Sequence, residues 1–212
     1  MPISNFSSIF LAIFIFVPFV LCSKGWAADI YELDDCKFLL SGPIVSGDAS
    51  EFEQLLESRG CSFSELEPNS PGGSVAEALL LARQLMRVTT VVPADASCLS
   101  ACAIVFMSGR TCAGAPYSCF PTRRMHPTAE LGFHTLALAA TADGDRMVPL
   151  SVAVNDTLEI FSDIYSEIIQ INSEVRSTGY EGYAFPPELL AIMFSTPADE
   201  IFAIETNDQF FA

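Results

Sequence analysis

Apolar and polar positions along this chain follow two periods, interrupted by one long apolar run. Ile9 to Cys22 reads IFLAIFIFVPFVLC, fourteen residues without a charge and with Pro18 near the end. Downstream, short apolar strands separate helix-like stretches. Lys37 to Leu40 predicts a strand that stops at Ser41-Gly42-Pro43, and Ser50-Glu51-Phe52-Glu53 has the capping-box spacing that opens a helix to about Ser58. Phe63 to Leu66 predicts a second strand, broken by Pro68-Asn69-Ser70-Pro71-Gly72-Gly73. Ser74 and Glu77 form a second capping box, starting a helix to about Arg87. Thr89 to Val92 is β-branched and reads as a third strand. Ala101 to Met107 is continuously apolar and predicts a buried helix with a glycine C-cap at Ser108-Gly109.

Residues 110–130 are rich in Gly, Pro and Arg and read as a loop or hairpin insertion, centred on 111–129. Leu131 to Thr135 predicts a fourth strand. From Val152 to Val175, apolar residues recur at Val154, Leu158, Phe161, Ile164, Ile168, Ile171 and Val175, the period of a helix ended by Gly179. Pro186-Pro187-Glu188 opens a further short helix, and Ile201 to Ile204 is a last strand. Such alternation predicts an α/β fold, with helices flanking a mainly parallel sheet. No internal repeat or low-complexity linker divides residues 28–212, which read as one domain.

The apolar run at 9–22 is shorter than the ~20 residues of a membrane span and matches the h-region of a secretory signal. Small residues at Gly25 and Ala27 place cleavage after Ala27, so residues 1–27 are expected to be a leader, with an uncleaved anchor and a lipoprotein modified at Cys22 as the alternatives. No stable membrane span is expected after cleavage. The 212-residue chain has 10 Lys+Arg and 26 Asp+Glu, net charge −16; the leader removes only Lys24, giving −17. Such a balance neutralises no phosphates and argues against nucleic-acid binding. Half the residues are hydrophobic, which argues against disorder. Of seven cysteines, Cys22 leaves with the leader. The even remainder, Cys36, Cys61, Cys98, Cys102, Cys112 and Cys119, suggests disulfides in an exported protein, periplasmic or extracellular. Cys112–Cys119 would close a short loop, and Cys36–Cys61 fits if the first two strands are neighbours. Cys98 and Cys102 could bridge each other, pair elsewhere, or pack as small apolar residues. Two histidines and no C-x-x-C speak against a zinc or thioredoxin-like site, and no cofactor is indicated.

Three segments carry candidate chemistry. Asn69-Ser70-Pro71-Gly72-Gly73 lies between a strand and a capped helix, where glycines leave backbone N–H groups uncovered for an oxyanion. Ser97-Cys98-Leu99-Ser100-Ala101-Cys102-Ala103 enters an apolar helix and puts Ser100 at its N-terminus, which favours developing negative charge. Gly132-Phe133-His134 ends a strand. Each also has a plain structural role: a turn, a helix cap, a core histidine. No G-x-S-x-G elbow occurs. Lys37 is the only lysine after the leader, and it precedes the glycine turn.

In this order, the three segments resemble Clp-type serine peptidases of the ClpP/crotonase superfamily. The wording CLSACAIVFMSGR…AELGFHT is most similar to exported Clp-protease-like bacterial proteins. The resemblance spans about residues 38–205. It implies a ClpP/crotonase-like fold and serine-hydrolase chemistry on a peptide or acyl substrate. It makes Ser100 the nucleophile, His134 the general base and Asp199 the third triad member, with the amides of Gly73 and Ala101 as oxyanion hole. It also implies homo-oligomers. Two other readings stand beside it: an inactive module that binds or assembles in the periplasm, and a crotonase-like acyl-thioester enzyme. The export signal opposes the latter, because coenzyme A is cytosolic.

Overall fold

In the computed structural model, residues 28–113, 118–135, 150–176 and 182–204 are described. The expected leader and the helix stop at Gly179 lie outside them. Strand β1 (Asp29–Asp34) turns back antiparallel onto β2 (Lys37–Ser41), and β2 runs parallel to β3 (Ser64–Asn69) after helix α1 (Asp48–Arg59). Helix α2 (Val75–Gln84) then leads to β4 (Arg87–Val92), parallel to β3. Past β5 (Ser97–Leu99) and α3 (Ala101–Met107) comes the expected hairpin, β6 (Arg110–Ala113) against β7 (Ser118–Pro121), followed by β8 (Arg123–Met125).

The outer edge of β4 is shared. Arg87 and Val88 pair antiparallel with β6, whereas Thr90 to Val92 pair parallel with β8. A second sheet orders β10 (Phe202–Ile204), β9 (Glu130–Phe133) and β5, with β9 antiparallel to β10 and parallel to β5. The expectation of a mainly parallel sheet is therefore corrected. Four ladders are antiparallel and four parallel, because β1, the β6–β7 hairpin and β10 all return directly onto their neighbours.

The described residues share one apolar core. All seven residues of α3 are buried, so this short helix is held by packing, at ~1.5–3 kcal/mol per large side chain. Phe52 of α1 meets Phe38 of β2 edge to face, with centroids 5.6 Å apart. Helix α4 (Leu150–Arg176) buries Ile164, Ile168, Ile171 and Val175, the later part of the stripe its period predicts, whereas Val154 and Leu158 at its start are exposed. Two ion pairs dock it: Arg83–Glu167 at 2.8 Å, and the buried Arg110 with Glu174 at 2.9 Å. Arg110 also donates to the carbonyls of Ala82 and Ser108, so its charge is buried with partners. Asn172 then exchanges two hydrogen bonds with Phe185 and fixes the approach to α5 (Pro187–Ser195).

Three local expectations are revised. Helix α1 starts two residues before Ser50, at a Gly47 N-cap, and Ser50 Oγ accepts from Gln54 instead of capping. Its first turn is satisfied from α2, where Glu77 Oε1 accepts from the amides of Gly47 and Ala49. Glu77 is thus drawn away from the reciprocal half of its own capping box, although Ser74 Oγ still accepts from its amide. Gly109 is no left-handed C-cap. A Cβ there would lie 2.3 Å from Thr90 Oγ1, so glycine is required by packing against β4.

All six cysteines among the described residues are in disulfides: Cys36–Cys61, Cys98–Cys102 and Cys112–Cys119. The first joins the starts of the neighbouring strands β2 and β3, and the last closes the β6–β7 hairpin. Among the described residues, no helix is long and apolar enough to cross a membrane.

Candidate active site

The segment between β3 and α2 is built residue by residue around β5. Asn69 Oδ1 accepts from the Ser97 amide. Ser70 pairs with Cys98, giving its amide to Ser97 O at 2.7 Å and taking that of Leu99 at 3.0 Å. Its buried hydroxyl accepts from the Gly72 amide. The second sheet is spliced in this way onto the end of β3. Gly72 then passes so close to the β5–α3 turn that a Cβ would lie 2.7 Å from Ser100 Cβ and 3.1 Å from the Ala101 nitrogen. Gly73, with φ of 139°, bridges Ile44, where a Cβ would fall 2.2 Å from the carbonyl oxygen. Both glycines are demanded by backbone approach, and both have positive φ.

Ser100 occupies the turn itself, with φ 57° and ψ −123°. A non-glycine residue held there costs ~1–3 kcal/mol and persists only where its surroundings impose it. Ser74, at the start of α2, is a useful contrast. Its backbone is extended, φ −66° and ψ 115°, and its hydroxyl caps the helix by accepting from Glu77. Ser100 makes no side-chain cap bond. This is a strand–elbow–helix arrangement reached without the G-x-S-x-G wording. The Cys98–Cys102 disulfide spans the elbow, with both cysteines fully buried.

His134 follows β9, which is registered on β5 by Leu99 opposite Gly132. The Ser100 amide donates to Gly132 O at 2.9 Å, so the serine is tied to the strand two residues before the histidine. Gly132 is again needed for space: a Cβ would meet the side chains of Ile201 and Leu99 at 2.5 and 2.7 Å.

Ser100, Ala101, Gly73 and His134 line one cleft of about 230 Å³. Its walls are Val75, Ile104, Phe133, Ile164, Met193 and Phe194, with Thr135 beside the histidine. No Asp, Glu, Lys or Arg is among these lining residues, in a chain of net charge −16. Among the described residues, the amides of Gly73 and Ala101 donate to no other group. Lys37 is occupied elsewhere, pairing with Glu67 at 2.7 Å and Glu65 at 3.2 Å.

Asp199, the third triad member that the resemblance implies, lies outside this group. It is exposed in the turn before β10 and does not line the cleft. The partner of His134 Nδ1 is the carbonyl oxygen of Thr135, 2.5 Å away. Thr135 is itself anchored, its amide donating to Thr196 O at the end of α5 at 2.8 Å. Sequence reasoning missed this carbonyl, which no side chain announces. It also missed the cleft walls, although Ile164 stood in the α4 stripe and Met193-Phe194 in an apolar run. Set against known proteins, the chain matches no protein-family model and no curated sequence.

Proposed function

We propose that this chain is an exported serine hydrolase of ClpP/crotonase type, peptidase-like in its chemistry. The observation that carries the reading is the backbone of Ser100, φ 57° and ψ −123° beside unpaired amides and a histidine. A serine serving only as a helix cap takes extended backbone, as Ser74 does, and gains nothing from a costly conformation. An elbow that thrusts a hydroxyl into a cleft accounts for the expense.

In the proposed reaction Ser100 Oγ attacks an acyl carbon while its proton passes to Nε2 of His134. The new Oγ–C bond moves the carbonyl π pair onto oxygen, which the Gly73 and Ala101 amides hold. Donors placed this way contribute ~3–4 kcal/mol each. Collapse of the tetrahedral species expels the leaving group, which takes the proton from Nε2. Water then repeats the cycle and frees Ser100. The uncharged, apolar walls suit a neutral substrate, a peptide or ester with an apolar side chain or acyl group. Export is supported by the apolar 9–22 segment and by three disulfides, which persist in oxidising compartments.

The displacement of Asp199 favours a second reading, a module that kept the fold for binding or assembly and lost turnover. One experiment separates them. A fluorophosphonate probe is expected to label the folded protein at Ser100, and Ser100→Ala is expected to abolish labelling. An unlabelled wild type would leave the binding module as the better account.

A further inference from the structure

We infer that the backbone carbonyl of Thr135 orients the His134 ring, so that a peptide oxygen takes the place a carboxylate fills in a triad. The inference rests on the hydrolase reading above. A carbonyl oxygen can only accept, so the 2.5 Å contact makes Nδ1 the protonated nitrogen of the neutral ring. Nε2 then presents its lone pair, which is the form a general base needs. The residue that carries the oxygen is anchored. The Thr135 amide donates to Thr196 O, and Thr196 closes on Ile192 O through its amide at 2.9 Å and its hydroxyl at 2.8 Å. Thr135, which carries this oxygen, is therefore tied through its amide to the end of α5.

A triad acid does two things: it selects the tautomer, and its charge stabilises the imidazolium that forms on proton transfer. The Thr135 carbonyl supplies the first in full and the second only as a dipole. Thr135 is thus a positioning residue, and Asp199 has no part in orienting the base.

The protein contains its own reference. His126 Nδ1 accepts from the Thr128 amide at 3.2 Å, which puts the proton of that neutral ring on Nε2. Nitrogen-15 spectra of the full chain, labelled at histidine and recorded with both rings neutral, are expected to show opposite tautomers. His134 should carry its proton on Nδ1 and His126 on Nε2, with assignment from His126→Ala. A proton on Nε2 of His134 would overturn the inference. Asp199→Asn, on an exposed turn, should label at Ser100 within about threefold of wild type, where removing a triad acid costs ~10⁴. A loss of hundredfold or more would restore the carboxylate and overturn the carbonyl. Replacing the 135–136 amide with an ester weakens this oxygen as an acceptor, and should slow labelling about tenfold. Labelling of the wild type tests the hydrolase, whereas the tautomer and the Asp199→Asn ratio test the carbonyl, so the two can fail separately.

Discussion

The cleft has two halves, and they are held by different means. On the nucleophile half, backbone meets backbone: Gly72 against the Leu99–Ala101 turn, Gly73 against Ile44, Ser70 against β5, with a disulfide across the elbow. On the base half, His134 ends a three-stranded sheet and leans on one peptide, while Gly132 is crowded only by the side chains of Ile201 and Leu99. Peptide groups cannot turn aside, and side chains can. On the proposed reading, the half that aims the Ser100 hydroxyl has the unyielding contacts, and the half that takes its proton has the yielding ones.

Two glycine substitutions test that difference most strongly. Gly73→Ala adds a Cβ 2.2 Å from a carbonyl oxygen at φ 139°, and is expected to cost ~4 kcal/mol or more and to end labelling at Ser100. Gly132→Ala meets side-chain ends without positive φ, and should cost ~1–3 kcal/mol as overpacking. Urea unfolding of the two variants checks the order. If Gly132→Ala proved the more damaging, the contrast between the halves would be wrong.

Disulfides sharpen the same comparison. Loop closure gives ~3.5 kcal/mol for Cys36–Cys61, 25 residues apart, and ~2 kcal/mol for Cys98–Cys102, 4 apart. Replacing the first pair with alanines should lower stability more, yet leave the labelling rate at Ser100 unchanged. Replacing the second should cost less stability but slow labelling roughly ten- to hundredfold, because a small displacement of the elbow misaligns the attack. Thermal melts and probe kinetics on both double variants decide it. Equal labelling rates would mean that the elbow is held by Gly72 and Ser70 alone.

How much of this was legible depended on whether the deciding interaction was local. The period from Val154 to Val175 and the double proline at Pro186-Pro187 announced α4 and α5, because amphipathicity and a fixed proline φ act within a few residues. Ser70 to Gly73 and Ser100 were recognisable as candidates. The reason for Gly72 was not, since it lies 28 residues away in Ser100. Strand β5 has only three residues, too few to show a period, and β1 (DIYELD) hides its alternation among acids. The Ser50 capping box failed because Glu77, far along the chain, reached the helix start first. Asp199 was named by the resemblance alone; it is exposed, and the group beside His134 Nδ1 is the Thr135 carbonyl oxygen. Main-chain acceptors leave no mark on residue identity.

The smallest expected effect concerns what lies behind the nucleophile half. Val45 follows Ile44, the residue that bridges Gly73, and its amide donates to the buried Asp48 carboxylate at 2.8 Å. Burial raises the Asp48 pKa above its ordinary value. The Val45 amide opposes this, while the neighbouring charges of Glu77 and Glu51 add to it. A carboxyl whose pKa is raised by folding binds its proton more tightly in the folded state than in the unfolded one. Its contribution is therefore fully present below the ordinary Asp range and is lost as pH rises through the raised value. Asp48→Asn keeps an oxygen for Val45 and removes the charge. It should match the wild type near pH 3.5 and be more stable at pH 7, by no more than ~1 kcal/mol. Urea midpoints at the two pH values isolate the group together with its charge interactions with Glu77 and Glu51. A variant clearly weaker than wild type at pH 7 would mean that the ionised carboxylate, through Val45, itself braces Ile44 and the glycine turn.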